Sequence, residues 1–438
     1  MDEKKLLQVL AEQKEEITVR RNSWVSRSEE ALFEMDSSLA QVVIGVRRSG
    51  KSTICHKVLQ DHGINYAYAN LDDDRLMSLT VEDLNTLLLC LYQLYGTDLQ
   101  YILLDEIQNV DGWHLFVNRL LRQGLHVFVT GSNAKLLSSE LATHLVGRYN
   151  EIRLYPLSFA EYCSFHQVNL QDVTTKAEAA RKSAFLEYLQ YGGFPELQNI
   201  NNKRAYIQSL FDSIILKDIA GRFKIRHAEV LRTIANHIIS NSCQEVNYKS
   251  LAENFGLNST TTAIKYVDYL KQAFLIGLLS KHSFKSKVRL RNSKAYVIDT
   301  GFIANRENAL SQENLGWRLE NMVYIELLRR AAKEFDDVYY YKPSSQSKEV
   351  DFVICRQDKA KELVQVAYEI DSTKAFNRET SALIQASDAL KCNELTLVCF
   401  GETRDEVVKD KTIHIKNALE WCIGLAFDSL YQCFAKPL

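Results

Sequence analysis

The sequence predicts an α/β protein in which a parallel sheet is followed by a helical region, a winged helix-turn-helix and a second, smaller α/β domain. Between about residues 40 and 160, short continuous apolar runs alternate with helical patterns, which is typical of a parallel sheet covered on both faces. From about residue 226, short helices precede a basic, β-branched stretch. After about residue 312, a long helix is followed by strands such as EVDFVIC and ELVQVAY, which indicate a separate α/β domain. These changes of pattern place the domains at 1–160, 161–225, 226–300 and 301–438.

Length and composition bound the class of protein. A chain of 438 residues with 46% hydrophobic and 25% charged residues predicts a soluble protein of several domains. The net charge of −2 excludes a protein that is basic throughout, so any contact with nucleic acid needs a local patch. The charged N-terminus, and the lack of an apolar run near the roughly 20 residues that span a bilayer, predict a cytoplasmic protein without a membrane partner. Nine scattered cysteines without a C-x-x-C pair predict buried free thiols.

The first apolar run, QVVIG, leads into GVRRSGKS, which matches the pattern G-x-x-x-x-G-K-[ST] with Gly45, Gly50, Lys51 and Ser52. The stretch KSTICHKVLQDH has helical periodicity, so a strand and a helix flank the loop as the pattern requires. The glycines allow a backbone geometry that turns several N–H groups toward phosphates at the positive end of a helix. Lys51 then neutralises the charge of the β- and γ-phosphates, and Ser52 supplies an oxygen to Mg²⁺. The loop therefore predicts a site for ATP with Mg²⁺.

Asp105 and Glu106 end the apolar run in LQYILLDEI. Strand ends at one edge of a parallel sheet are where ligands bind. We therefore expect Asp105 to hold the Mg²⁺ shell and Glu106 to orient and polarise an attacking water. The alternative is an exposed acidic turn, which an Asp-Glu pair would also fit.

Two further stretches carry candidates for catalysis. The run LHVFVTGSN ends in Ser132 and Asn133, which could contact the γ-phosphate or the water, although Gly, Ser and Asn are also ordinary turn residues. Arg148 stands just before the fifth apolar run, where an arginine could stabilise the transferring phosphoryl group in its own chain or in a neighbour's. A surface or interface arginine is the alternative for Arg148.

Five stretches together resemble the sequences of a family of prokaryotic AAA-like ATPases: GVRRSGKST, LLDEIQNVDGW, VTGSNAKLLS, VGRYNEIRLYPLSFAEY and YGGFPEL. In that family the ATPase is fused to a winged helix and a C-terminal nuclease-like domain, and the resemblance runs along nearly the whole chain. It implies a five-stranded sheet of order 5-1-4-3-2, with Asp105 on magnesium and Glu106 as the catalytic glutamate. It also implies that the nucleotide is bound by Gly45, Val46, Arg47, Arg48, Ser49, Gly50, Lys51, Ser52 and Thr53.

Residues 226–275 have a helix-turn-helix pattern, with a turn at Phe255-Gly256-Leu257 and an N-cap at Asn258 or Ser259. The residues predicted to face the core in the second helix are Ile264, Val267, Leu270 and Phe274. Those left outside, as in a recognition helix, are Thr261, Thr262, Lys265 and Tyr266. The next segment predicts a basic wing along a phosphate backbone, formed by Lys281, Lys285, Lys287, Arg289, Arg291 and Lys294. A lid or a partner-docking module is the alternative for this region.

The C-terminal domain resembles the PD-(D/E)xK nuclease core, in which a helix glutamate, a strand aspartate and an E-x-K strand bind metal and activate water. Glu320 fits the helix position and Asp351 fits the aspartate position. At the E-x-K position stands Gln365-Val366-Ala367, so a neutral amide replaces a carboxylate and a methyl group replaces the ammonium. Because metal-assisted hydrolysis needs charge at these points, we predict a degenerate nuclease fold without activity. Arg378 and Glu379 are predicted to form a salt bridge on a helix surface.

Three functions fit these patterns. The first is a Mg²⁺-dependent ATPase that acts as a nucleotide-controlled switch associated with DNA, alone or as a homo-oligomer. The second is an ATP-switched module that docks a protein partner and has no nucleic-acid role. The third is an ATP-dependent nuclease in which Glu369 or a lysine elsewhere replaces the missing groups. Salt-dependent retention on DNA separates the first two, and metal-dependent cleavage that is lost in Asp351→Ala identifies the third.

Overall fold

The computed structural model describes residues 1–19, 24–132, 145, 147–283, 293–306, 315–343 and 348–424. The chain divides into two compact units, which we call the N-terminal unit and the C-terminal unit. The N-terminal unit is Met1–Pro156 with Gln272–Phe274, and the C-terminal unit is Leu157–Lys271 with Leu275–Leu438.

The N-terminal unit is a five-stranded parallel sheet with helices between its strands. Its elements are α1 (Glu3–Val19), β1 (Ala40–Ile44), α2 (Lys51–Asp61), β2 (Tyr66–Asn70), α3 (Leu84–Tyr95), β3 (Tyr101–Asp105), α4 (Trp113–Arg122), β4 (His126–Gly131) and β5 (Tyr149–Arg153). Short 3-10 helices lie at Ser28–Leu32, Asp74–Leu76, Val81–Asp83 and Ile107–Asn109. The strand order is β2-β3-β4-β1-β5, and every neighbouring pair is parallel. The parallel sheet and the order 5-1-4-3-2 are therefore confirmed.

The inner strands β1, β3 and β4 are largely apolar because both faces of the sheet are covered there. All five residues of β1 are buried, and so are the last four of β3. Strand β1 lies between β4 and β5, with Val43 opposite Thr130 on one side and Ile152 on the other. Because the strands are parallel, the carboxyl ends of β1, β3 and β4 meet at the same edge of the sheet.

The C-terminal unit begins with a helical region of α5 (Phe159–Phe165), α6 (Thr175–Tyr191) and α7 (Lys203–Ser213), with a 3-10 helix at Pro195–Asn199 and a π-helix at Ile214–Gly221. The glycines of YGGFPEL lie against Asp299. Gly192 has a φ of +78°, and a Cβ there would lie 1.6 Å from Oδ1 of Asp299. The N–H of Gly193 donates to Oδ2 of Asp299 at 2.8 Å. A side chain is excluded at Gly192 by its positive φ and by the carboxylate of Asp299, and at Gly193 by the carbonyl oxygen of Leu157, which would lie 2.2 Å from a Cβ.

A module of three helices and three strands follows the helical region. It contains α8 (Ala228–Ser240), β6 (Gln244–Glu245), α9 (Tyr248–Asn254), α10 (Thr260–Gln272), β7 (Ile276–Ser280) and β8 (Ser293–Val297), and its antiparallel sheet has the order β6-β8-β7. Oγ of Ser259 accepts the N–H of Thr262 at 3.2 Å, which confirms Ser259 as the N-cap of α10. The predicted core face is wrong at Ile264, which is 47% exposed. The buried stripe runs through Ala263 and Val267 instead, and Ile264 lies about 100° around the helix from Ala263.

The last part of the C-terminal unit is a mixed sheet flanked by helices. Its elements are α11 (Thr300–Asn305), α12 (Leu315–Glu334), β9 (Asp337–Tyr341), β10 (Val350–Arg356), β11 (Lys359–Val366), α13 (Thr373–Leu390), β12 (Leu395–Cys399), β13 (Arg404–Val408), β14 (Lys411–Asn417) and α14 (Ala418–Ile423). The strand order is β13-β14-β12-β11-β10-β9. Strands β9, β10 and β11 pair antiparallel, and β11, β12 and β14 pair parallel. We call this part the mixed-sheet module.

Two predictions about the whole chain concern membranes and cysteines. Across the described ranges, no helix is both long enough and apolar enough to cross a membrane. The cysteines that lie in these ranges are all free and buried, which confirms the predicted thiols at those positions.

Candidate active site

The loop of residues 45–52, which we call the glycine loop, is packed closely against the end of β5. Gly45 has a φ of +155°, and a Cβ there would lie 2.1 Å from the carbonyl oxygen of Leu154. Gly50 has a φ of +94° and is the N-cap of α2, in the left-handed region that favours glycine. The two glycines therefore let the loop fold over the start of α2, where the first N–H groups of a helix are available to an anion.

Two buried polar groups in the glycine loop indicate an anionic ligand. Ser49 is fully buried, and its Oγ has no hydrogen-bond partner among the described residues. Lys51 is also buried; its Nζ donates to the carbonyl of Val46 at 3.1 Å and lies 3.7 Å from Oε1 of Glu106. Burying a hydroxyl without a partner costs free energy, and a bound phosphate would offset that cost. The loop therefore fits a polyanion.

The other residues of the glycine loop differ in exposure. Val46 is buried, whereas Arg48 is exposed and has a φ of +68°. Arg47 is half-buried, with its guanidinium 3.9 Å from a carboxylate oxygen of Asp72. Thr53, in the first turn of α2, is exposed. Only part of the predicted nucleotide-binding set is thus enclosed by the fold.

Arg27 supports the glycine loop and was missed by the sequence analysis. Its buried guanidinium donates to the carbonyl of Ser49 at 3.2 Å and to the carbonyl of Tyr155 at 2.7 Å. It therefore ties the glycine loop to the segment after β5 from a position before β1. No sequence signal marks this role, because a single arginine outside any periodic pattern has no predicted partner.

Three hydroxyl groups hold Asp105 at the end of β3. Oγ of Ser52 donates to Oδ1 at 2.8 Å, the hydroxyl of Tyr68 donates to Oδ2 at 3.2 Å, and the hydroxyl of Thr130 also donates to Oδ1. Burial raises the pKa of Asp105, and so does the charge of Glu106, while the hydroxyl donors oppose this rise. Ser52 and Asp105 present adjacent oxygen atoms, which are the ligands that Mg²⁺ prefers. These residues therefore fit the predicted metal.

Glu106 follows directly in a left-handed conformation, with a φ of +50°. Its Oε2 accepts from the N–H and Oγ of Ser132, at 3.3 and 3.2 Å, and from the amide of Gln108. Burial raises the pKa of Glu106, but the charge of Lys51 and the donor from Gln108 outweigh burial and hold the pKa below its usual value. The side chain is therefore an ionised carboxylate with a fixed orientation. Gln108 was not predicted to contribute to the site.

Arg148 is not at the same edge of the sheet as the other predicted catalytic residues. It is exposed, and its carbonyl accepts the N–H of Ala40 at 3.0 Å, at the start of β1. The glycine loop begins beyond the other end of β1, about 13 Å of extended chain away. Asn133 lies outside the described residues. The predicted residues that do come together are Lys51, Ser52, Asp105, Glu106 and Ser132.

The predicted DNA-facing residues are described in part. Thr261 and Lys265 are exposed on α10, and Thr262 is half-buried. The prediction is wrong for Lys294, which is buried on β8 and forms ion pairs instead of lying on a solvated wing. The wing pattern failed there because β8 is buried, whereas a run of charges suggests exposure. The residues outside the described ranges are Lys285, Lys287, Arg289 and Arg291.

Glu320 and Asp351 both lie beside the ammonium of Lys294, at 3.4 and 3.9 Å. Gln365 accepts the N–H of Asp351 at 3.3 Å and donates to Oε2 of Glu379 at 2.9 Å. The Arg378–Glu379 ion pair is present, but its predicted surface position is wrong. Glu379 is buried, and its carboxylate accepts a hydrogen bond from the side-chain amide of Gln365.

Comparison with known proteins gives matches along most of the chain. Residues 37–163 match a family described as AAA domain, and residues 182–313 and 315–418 match two families described as domains of unknown function (DUF8612 and DUF4143). An uncharacterised protein of Methanocaldococcus jannaschii is 34% identical over 366 residues, covering 82% of this chain and 80% of the relative. An uncharacterised protein of Haemophilus influenzae is 34% identical over 374 residues, covering 81% and 88%. Among solved structures, the Walker-type ATPase of Pyrococcus abyssi matches with a TM-score of 0.42 and 15% identity, over 65% of this chain and 97% of that one.

Proposed function

This chain belongs to the same family as these archaeal and bacterial proteins and carries an AAA-type P-loop ATPase fold, and on this premise we propose that it is a Mg²⁺-dependent ATPase that acts as a nucleotide-controlled switch associated with DNA. One observation carries the proposal: Lys51, Ser52, Asp105 and Glu106 meet where β1 and β3 end. We also propose that it works in the cytoplasm.

The glycine loop would bind the phosphates of ATP. Main-chain N–H groups at the start of α2 face the polyanion, and Oγ of Ser49 gains the partner that the protein does not supply. When ATP binds, Nζ of Lys51 would leave its ion pair with Glu106 and contact a phosphate oxygen instead. Ser52 and Asp105 would hold Mg²⁺, which neutralises charge on the phosphates when bound.

Glu106 would act on the attacking water. It is ionised and its orientation is fixed by Ser132 and Gln108, so it can accept a proton from a water placed in line with the γ-phosphate. Ser132 then serves as a positioning residue through Glu106. This role differs from direct contact with the γ-phosphate, which the sequence left open.

Arg148 would stabilise the transferred phosphoryl group in a neighbouring copy of the chain. It is exposed at the sheet edge opposite its own glycine loop, which favours action in trans over action in cis. A homo-oligomer follows from this arrangement. We expect Arg148→Ala to slow turnover only above a threshold protein concentration.

The module of α8 to β8 would contact DNA as a winged helix. The succession helix, strand, helix, helix, strand, strand supports this assignment, with α10 as the recognition helix. Thr261 and Lys265 are exposed on α10, and the exposed Ile264 between them offers an apolar contact to a thymine methyl group. The alternative remains a protein-docking module without a nucleic-acid role.

The mixed-sheet module would be a degenerate PD-(D/E)xK fold. Helix α12 carries Glu320, β10 carries Asp351 and β11 carries Gln365, in the order of helix, aspartate strand and E-x-K strand that the resemblance implies. The uncharged Gln365 and Ala367 support the absence of nuclease activity. An ATP-dependent nuclease is the remaining alternative.

Two experiments test the proposed function. Purified protein should release phosphate from ATP only with Mg²⁺, and Lys51→Ala should abolish this release. Retention on duplex DNA should weaken with salt, with a slope of several in log K against log salt, because Lys and Arg release counterions from phosphates. Retention that does not depend on salt, or no retention at all, would favour the protein-docking alternative.

A further inference from the structure

Lys294 connects the α8–β8 module to the mixed-sheet module. It belongs to β8, in the sheet of the α8–β8 module, but its ammonium lies among carboxylates of α12 and β10 and of the residue just before β10. The Nζ atom is 3.4 Å from Oε1 of Glu320 and 3.9 Å from Oδ1 of Asp351, and it forms an ion pair with Glu349. The Lys294 side chain is 5% exposed, so these carboxylates replace its water.

The charges of this cluster depend on one another. Burial alone would lower the pKa of Lys294, yet the carboxylates around it raise the pKa above its usual value. Burial raises the pKa of Glu320, and burial together with the charge of Glu320 raises the pKa of Asp351. Removing the ammonium would therefore leave partly or fully buried carboxylates without the charge that neutralises them, which costs more free energy of folding than removing a surface ion pair.

Neighbouring residues fix β8 to α12 at the same place. The hydroxyl of Tyr296 donates to Oε1 of Glu320 at 2.7 Å. The side-chain amide of Asn321 accepts the N–H of Val297 at 2.7 Å and donates to the carbonyl of Val297 at 2.7 Å. The ion cluster is thus the end of a continuous set of bonds between β8 and α12.

The polar side chains at and beside the E-x-K position form hydrogen bonds with other protein groups. Gln365 is bonded to Glu379 and to the N–H of Asp351, and Oδ2 of Asp351 accepts the N–H of Val366 at 2.9 Å. Oδ1 of Asp351 is left to face Lys294. With the Lys294 side chain in place among these carboxylates, no group of three or more His, Cys, Asp or Glu side chains in the described residues is arranged to hold a metal ion. The positive charge in this cluster is an ammonium.

We propose that Lys294 is a built-in cation, in the place that a metal ion would take among Glu320, Glu349 and Asp351, and that it locks the α8–β8 module to the mixed-sheet module. The two modules then move as one body, and the mixed-sheet module works without a metal. This inference rests on contacts within the C-terminal unit and not on the proposed ATPase activity, so failure of either leaves the other standing.

The first test is the thermal unfolding of charge variants. Lys294→Met keeps the length of the side chain and removes its charge, and Lys249→Met, at a position that is 80% exposed, is the matched control. We expect Lys294→Met to lower the Tm of the C-terminal unit by about 6–10 °C, from the usual cost of breaking a buried ion pair. Adding Glu349→Gln to Lys294→Met should restore at least half of the loss. Equal Tm values for Lys294→Met and the control would overturn the lock.

The second test is Mn²⁺ binding, followed by electron paramagnetic resonance without nucleotide. All proteins carry Asp105→Asn, which removes the metal ligand of the N-terminal unit. We expect no Mn²⁺ at the cluster with Lys294 present, and one bound Mn²⁺ in Lys294→Ala that disappears when Asp351→Asn is added. Mn²⁺ bound through Asp351 with Lys294 present, or none in folded Lys294→Ala, would overturn the proposal. So would Mn²⁺-dependent DNA cleavage that Lys294→Met abolishes, because the lysine would then be catalytic. The measurement with Lys294 present needs no variant at that position to fold.

Discussion

The ion pair between Lys51 and Glu106 makes the exchange Glu106→Gln informative in two ways. Glutamine has the same shape as glutamate, and its oxygen can still accept from Ser132 and Gln108. What it loses is the charge next to Lys51 and the capacity to take a proton from water. The first loss affects ATP binding and the second affects turnover, so the two proposed roles separate in one variant.

The magnitude of the binding effect follows from the geometry. Nζ of Lys51 lies 3.7 Å from Oε1 of Glu106. Two unit charges at that distance attract by about 1 kcal/mol in water-like surroundings and by about 4.5 kcal/mol at an effective dielectric constant of 20. The ion pair between Lys51 and Glu106 must break before Lys51 can bind a phosphate of ATP, so ATP binding loses this attraction. Even the lower value is about fivefold in an equilibrium constant, so Glu106→Gln should bind ATP at least about fivefold more tightly.

Turnover should change in the opposite direction. A positioned general base contributes about 10²–10⁴-fold to a rate, so kcat of Glu106→Gln should fall by that factor. Calorimetry with ATP and Mg²⁺ measures the affinity, and phosphate release at saturating ATP measures kcat. Glu151→Gln, at an exposed position on β5, is the matched control and should change neither quantity. An unchanged kcat would refute the role of Glu106, and weaker ATP binding would refute its competition for Lys51.

Three further exchanges test other parts of the account. Gly45→Ala should abolish ATP binding while far-UV circular dichroism is unchanged, because the added Cβ would lie 2.1 Å from the carbonyl oxygen of Leu154. Tyr68→Phe should raise the Mg²⁺ concentration for half-maximal turnover by about 3–10-fold, with kcat at saturating Mg²⁺ kept, because it removes one donor to Asp105. Burial raises the pKa of Asp299 to about 7, so the folded protein binds more protons than the unfolded chain between about pH 4 and 7. The free energy of unfolding should therefore fall as pH rises through that window, and Asp299→Asn should lose this slope.

Each of these has a contradicting outcome. Gly45→Ala that binds ATP normally would mean that the glycine loop can move away from β5. Tyr68→Phe with a lower kcat and an unchanged Mg²⁺ requirement would assign the hydroxyl a role other than holding Asp105. A pH slope that survives in folded Asp299→Asn would have to come from another group.

The sequence predicted those parts of the site that depend on strand order and local motifs. A glycine loop between a strand and a helix fixes where Lys51 and Ser52 lie, and parallel strands bring Asp105 and Glu106 to the same edge. Ser132 followed from the same logic, because β4 lies between β3 and β1. Local pattern and sheet topology were sufficient for these residues.

The residues that were missed depend on contacts between distant segments. Arg27, Tyr68 and Gln108 contact the site through side chains whose direction is set by tertiary packing. Tyr68 does not differ in pattern from the other apolar residues of β2. Residues that support a site from distant segments follow no fixed spacing in the sequence, so a single sequence does not reveal them.

The wrong predictions have a common cause, which is that charge was taken as a sign of exposure. Lys294 was assigned to a basic wing and Glu379 to a helix surface, and both are buried with partners on other elements. Lys294 precedes Glu320 by 26 positions and belongs to the sheet of the α8–β8 module, so spacing could not place its ammonium beside the carboxylates of the mixed-sheet module. Ile264 shows the converse, since an apolar residue at the margin of a helical stripe is exposed.

Calorimetric titration of ATP with Mg²⁺ tests the central claim most directly, which is that a polyanion binds at the start of α2. We expect one ATP bound per chain, and no measurable heat for Lys51→Ala. Lys57→Ala, on the same helix but paired with Asp61, should bind ATP like the unaltered protein. Folded protein that gives no heat with ATP, or Lys51→Ala that binds ATP with unchanged affinity, would contradict the account.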